Sequence, residues 1–238
     1  MRRRIAALFV VLGVVVPVVG LVGAGPAAAD PCAGSSPAVA ITATPGMGFY
    51  VVGSDGCIGT AGDATNLGQP GPLAKPVVGV AAAPHGAGYW EVASDGGIFT
   101  YGTATFLGST GAIRLNRPIV GMAATPDGGG YWLVASDGGI FAFGDAKFFG
   151  STGAVRLNRP IVGMAAAPDG GGYWFVARDG GVFSFGDAPF LGSSTPVPGV
   201  AQPPVVGIAA TPSGRGYWIA YQANDQIDAF GDAASMQF

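Results

Sequence analysis

The chain of 238 residues has very little of what most active sites are built from. Histidine occurs once, at position 85, and glutamate once, at position 91. Charged residues make up only 11% of the sequence. A Ser-His-Asp triad or a two-histidine metal site would have to use His85. That residue stands in a turn where sister copies of the motif described below carry Asp127, Asp169 and Ser213. No D-x-[DN]-x-[DN]-G calcium loop, G-x-S-x-G elbow or phosphate loop is present. The two cysteines, Cys32 and Cys57, are too few for a disulfide scaffold and suit a single bridge in an exported protein, the alternative being two buried thiols. No segment past the leader has a helical hydrophobic period, and 43 glycines with 19 prolines disfavour helix. Basic surface is also scarce. Three of the 11 bases lie in the leader, so eight face 14 acids in the remainder, a net charge of −6 that argues against nucleic acid.

The leader has Arg2, Arg3 and Arg4, then an apolar run from Ile5 to about Val22, then Pro26-Ala27-Ala28-Ala29. This is the pattern of a cleaved signal peptide over residues 1–29, with an uncleaved anchor as the alternative. A mature chain starting at Asp30 is expected to be secreted or held in the envelope, with no membrane contact after cleavage.

Glycine and repetition dominate what remains. Trp90, Trp132, Trp174 and Trp218 each follow a tyrosine and are 42, 42 and 44 residues apart. An earlier copy has Phe49-Tyr50 instead. After a segment at 30–37, five copies fill the chain, over 38–75, 76–117, 118–159, 160–203 and 204–238. Each reads as four short strand-like pieces, in the third copy Ile119–Thr125, Tyr131–Ser136, Ile140–Phe143 and Lys147–Ser151, divided by PDGGG, DGG and GD turn signals. Four short strands per repeat of about 42 residues predict an all-β, five-bladed β-propeller. A trefoil has three repeats and a solenoid shorter ones.

Small residues at Gly121, Ala123 and Ala124 place the first strand at the crowded axis, and the fourth, with Lys147, outermost. The tryptophans and Phe-x-Phe-Gly-Asp segments then recur because each blade packs on the next. Asp145 and Asp187 suit tight turns. Asp95, Asp137 and Asp179, each before Gly-Gly, suit hairpins that need positive φ. Glu91 stands where other copies have Leu133, Phe175 and Ile219, and is read as an exposed blade-edge position.

Copies reading PIVGMAATPDGGGYWLVASDGGIFAFGDA resemble a repeat found in secreted actinobacterial proteins, alone or beside hydrolase domains. The resemblance covers Ala38–Phe238. In architecture alone the chain is similar to five-bladed tachylectin-type lectins, with no residue-level lectin motif.

The aspartates are spread evenly over the blades, whereas a glycosidase needs two carboxylates in unlike environments. The expected function is therefore a non-catalytic, monomeric binding module without metal or cofactor. A structural spacer and, less favoured, a glycosidase-like hydrolase are the alternatives. The candidate site is lopsided. Loops GAIRLNRP and GAVRLNRP hold Arg114, Asn116, Arg117, Arg156, Asn158 and Arg159, on the face shared with the SDGG turns. The loop of copy four, TPVPGVAQP, has no charge. Arginine forks suit carboxylates and amides suit sugar hydroxyls, so a cell-wall glycan or an extracellular protein with an acidic patch is the expected partner. The bland reading pairs these arginines with Asp95, Asp137 and Asp179, or leaves them merely solvated.

Overall fold

The computed structural model describes residues 36–194, 203–222 and 226–235. The leader, Cys32, residues 195–202 of the uncharged loop, and Asn224 and Asp225 lie outside the described residues. Fifteen strands form five separate three-stranded antiparallel sheets, and no helix occurs among the described residues. Blade one is β1 (Ala38–Ala43), β2 (Phe49–Gly53) and β3 (Ile58–Ala61). Blade two is β4 (Val77–Ala82), β5 (Gly88–Ala93) and β6 (Ile98–Gly102). Blade three is β7 (Ile119–Ala124), β8 (Gly130–Ala135) and β9 (Ile140–Gly144). Blade four is β10 (Ile161–Ala166), β11 (Gly172–Ala177) and β12 (Val182–Gly186), and blade five is β13 (Val205–Ala210), β14 (Gly216–Tyr221) and β15 (Ile227–Gly231).

The first strands are innermost. β1, β4, β7, β10 and β13 lie side by side in that order. The approach explains the conserved-looking smallness within the repeat: a Cβ on Gly163 would stand 3.4 Å from the Cα of Gly207. Middle strands are covered on both sides by neighbouring blades, and every residue of β8 and β11 is buried. Such strands read as continuous apolar runs instead of alternating ones. At the hairpin ends Asp137 accepts a hydrogen bond from the Gly139 amide at 3.0 Å, while Gly138 takes φ 78°.

The fourth strand expected in each copy is not formed, and the blades have three strands. In copy three the segment after β9 carries Gly150 at φ 138°, a conformation outside the strand region. Its polar backbone groups are taken by side chains instead of a ladder. Trp132 Nε1 of the same blade donates to Lys147 O at 2.8 Å, and Tyr173 of the next blade donates to Gly150 O at 2.7 Å. The Phe149 amide donates back to the Tyr173 hydroxyl at 3.1 Å. Tyrosine and tryptophan thus clip the outer segment from two blades at once.

Four junctions share this design. Rings of Trp90 and Tyr131, Trp132 and Tyr173, and Trp174 and Tyr217 pack at 5.7–5.8 Å, and Tyr50 takes the tryptophan's place against Tyr89 at 4.5 Å. The first amide of β4, β7, β10 and β13 also reaches the preceding blade's turn, as Ile119 N does to Ser94 O at 2.9 Å. The seam between blades five and one differs. Phe49 stands at the tyrosine position and has no hydroxyl to donate. Val39 is 38% exposed, and β1 and β13 do not pack together as the other inner strands do.

Candidate functional site

The loops at 111–118 and 153–160 are short excursions pinned at their roots. The Thr110 hydroxyl donates to Asp95 O and the Ile113 amide donates to Thr110 O. Thr152, Asp137 and Val155 repeat the arrangement one blade on. These bonds place both loops on the face of the Asp-Gly-Gly turns, as expected from alternating strand direction. Arg114, Asn116, Arg117, Arg156, Asn158 and Arg159 are all exposed. Ile113 and Val155, each 57% exposed, stand among them. The arginines make no ion pair among the described residues. Asp95, Asp137 and Asp179 instead accept from the amides of Gly97, Gly139 and Gly181 in their own turns. The pairing branch of the bland reading is therefore not formed, and the arginines face solvent, as its other branch expects.

On the same face an axial cavity of about 560 Å³ opens between the inner strands. It is lined by the early part of each inner strand, such as Val120, Gly121 and Met122, and not by the terminal alanines Ala82, Ala124 and Ala166. Hence it occupies the end of the axis where the inner strands begin. Arg178, Tyr221, Gln222 and Gln226 supply its polar rim, and Trp218 and Ile227 of blade five extend its wall toward the seam.

Two acids sit at positions that are apolar in the other copies. Glu91 is fully buried, against the expectation of an exposed edge, because β5 is a middle strand covered by blade one. Both carboxylate oxygens lack a hydrogen-bond partner. Burial, with a smaller contribution from the Asp55 charge, pushes Glu91 up to about 8. Asp228 replaces the phenylalanines of β6, β9 and β12. It accepts from Ser194 Oγ at 2.5 Å across the blade junction, from the Tyr221 hydroxyl at 2.7 Å and from Gln226 Nε2 at 3.3 Å. Burial works against ionisation of Asp228, but these bonds outweigh it and hold the carboxyl below its usual range. Burial raises Tyr221 to about 12.

His85 contributes only its backbone, accepting from Thr103 Oγ1 at 3.3 Å. No group of three His, Cys, Asp or Glu side chains gathers in metal-binding geometry among the described residues. Sequence reading missed a further surface feature. Phe106, Phe148 and Phe190, taken for strand residues, are 57%, 64% and 61% exposed at equivalent rim positions. The signal was available in the glycine two residues after each.

No family model matches the chain, and no curated protein matches it significantly. Among solved structures it is similar to the Cps50 (Swd1) β-propeller domain of Myceliophteria thermophila, at 10% identity and a TM-score of 0.53. The match covers 79% of this chain and 64% of that one, so the chain spans less than two thirds of its neighbour. At this identity the likeness concerns fold alone, and the fold is that of a β-propeller.

Proposed function

We propose that the protein is a secreted, non-catalytic β-propeller module that binds an acidic glycan of the cell envelope through the face bearing Arg114, Arg117, Arg156 and Arg159. The observation that carries the reading is charge asymmetry on a repetitive scaffold. Two adjacent loops hold half of the bases outside the leader, exposed and without carboxylate partners among the described residues. Asn116 and Asn158 beside them offer amide donors and acceptors for hydroxyls. Repeated loops on a rigid frame suit a polymeric ligand, since each further contact is intramolecular once the first is made.

Secretion rests on the leader sequence. It fits a disulfide between Cys32 and Cys57, which we also propose. Asp55 and Ser36 exchange two hydrogen bonds, Asp55 N to Ser36 Oγ at 3.0 Å and Ser36 N to Asp55 Oδ2 at 3.3 Å. These bring the chain four residues from Cys32 to the turn that holds Cys57.

The test compares retention of the parent and an R114A/R117A/R156A/R159A variant on isolated cell walls, before and after protease treatment of the walls. Retention of the parent on both preparations, lost in the folded variant and weakened by moderate salt, is the expected result. Binding that disappears with protease treatment points to a protein partner. A parent that is not retained is a spacer, and the reading fails.

A further inference from the structure

We propose that the loops at 111–118 and 153–160 are two equivalent subsites for one polymer, an acidic glycan whose repeating unit carries a carboxylate and an N-acetyl group. This rests on the reading of the arginine face as a glycan site, and adds the chemistry of the repeating unit and the way the polymer is held.

Blade one shows what a crossing between blades requires. Its loop runs from Gly68 to Pro76, two residues shorter than Gly108–Pro118 and Gly150–Pro160. Three residues before the closing proline stand Leu73, Leu115 and Leu157, and each packs against a buried core cluster. The closing prolines Pro76, Pro118 and Pro160 accept the same backbone bond, from the amides of Ser94, Ser136 and Arg178. The short loop therefore makes the whole crossing without a counterpart of Ile113-Arg114 or Val155-Arg156, and with Ala74 and Lys75 where the longer loops have Asn and Arg. The added residues serve something other than the scaffold.

Both long loops present them alike. A Cβ on Gly111 would stand 3.1 Å from the Cα of Gly97, and one on Gly153 would stand 3.3 Å from the Cα of Gly139, so each loop starts hard against its own blade's turn. The anchored leucine then fixes the middle, with an exposed arginine before it and an exposed asparagine and arginine after it. Adjacent blades thus carry two copies of one arrangement. In each, a guanidinium fork suits a carboxylate, and the asparagine amide suits an amide or hydroxyl. Single exposed apolar side chains are ordinary on protein surfaces. Ile113 and Val155 differ in belonging to the added pair in both loops, directly beside a guanidinium, at 57% exposure. A plain uronate offers them nothing apolar. An N-acetyl group offers its methyl, and its amide meets the asparagine.

The experiment titrates two series of oligosaccharides of increasing length, by calorimetry, into the parent, R114A/R117A, R156A/R159A and I113S/V155S. Hyaluronan oligomers carry a carboxylate and an N-acetyl group in each repeat, and oligogalacturonates carry the carboxylate alone. A short hyaluronan oligomer should bind the parent at two equal sites, and either arginine variant at one site with unchanged affinity. A long oligomer reaches both loops and should bind the parent about a hundredfold or more tighter, with either arginine variant returning it to the short-oligomer value. I113S/V155S should bring hyaluronan down to the affinity of oligogalacturonate. All the substituted side chains are exposed, and should one variant fail to fold, the parent's stoichiometry and its preference between the two series decide. Loss of long-oligomer binding in one arginine variant alone overturns the pair of equivalent subsites. Equal affinity of the parent for the two series overturns the N-acetyl assignment. Retention on cell walls with no binding of hyaluronan overturns this proposal and leaves the glycan reading standing, whereas a parent neither retained on walls nor bound by either series ends both.

Discussion

Tyr131 of blade three donates its hydroxyl proton to the carbonyl of Gly108 in blade two at 2.5 Å, and accepts from the Leu107 amide at 3.2 Å. The ring itself is fully buried against Trp90. One side chain therefore fills the blade junction with its ring and holds its neighbour's outer segment with its tip. Tyr131→Phe keeps the ring and strands one donor and one acceptor. It is expected to cost roughly 1–3 kcal/mol. Chemical denaturation of Y131F checks this, and an unchanged midpoint would show that the clip contributes nothing.

The glycine under the clip is more restricted than its tyrosine. Gly150 has φ 138°, and a Cβ there would come 2.5 Å from Cδ1 of Phe185 in the next blade. Gly150→Ala combines backbone strain with a clash against a packed ring. A loss of about 2–4 kcal/mol is expected, read as a lowered melting temperature with the sheet signal retained by circular dichroism.

Tryptophan spacing and turn residues made five blades legible, because copies two to four repeat the full set of inner, middle and turn residues and the first and last repeat most of it. The fourth strand was misread for a physical reason. Phe148-Phe149-Gly150 has the composition of a strand, but what fixes it is a positive φ and bonds to Trp132 and Tyr173, and neither leaves a local pattern. The burial of Glu91 was missed because a lone carboxylate at an apolar position reads as exposed. Its sisters Leu133, Phe175 and Ile219 held the better signal, since all three are fully buried. The arginine loops were legible as a charge cluster. The cavity was not, because Arg178, Met122 and Gln222 come from three blades and only the ring brings them together.

The proposed bridge gives its own prediction. Native protein should show no thiol reactive toward Ellman's reagent, and Cys57→Ser should lose roughly 3–4 kcal/mol, the chain-entropy value for a loop of this length. Two reactive thiols in native oxidised protein would contradict the pairing with Cys32.

Glu91 gives the sharpest pH dependence. Its carboxyl is fully buried without a hydrogen-bond partner, in β5 facing blade one, where Asp55 is a nearby negative charge and Tyr89 and Tyr101 are the other titratable groups it acts on. Burial first, and Asp55 second, raise it from 4.5 to about 8 in the folded state. Between these values the folded chain holds a proton that the unfolded chain has released. Stability is therefore complete below about pH 4.5 and falls as pH rises toward 8, by at most about 1.4 kcal/mol per unit. Glu91→Leu installs the residue of blade three, removes the orphaned oxygens and removes the titration. It is expected to stabilise by about 2 kcal/mol at pH 5, from loss of the orphaned oxygens, and by progressively more at pH 7 and pH 9 as the parent loses its proton-linked stability. Urea midpoints for parent and E91L at pH 5, 7 and 9 give the measurement. Midpoints that fall with pH in parallel for the two proteins would mean that another group carries the dependence and that Glu91 does not titrate in this window.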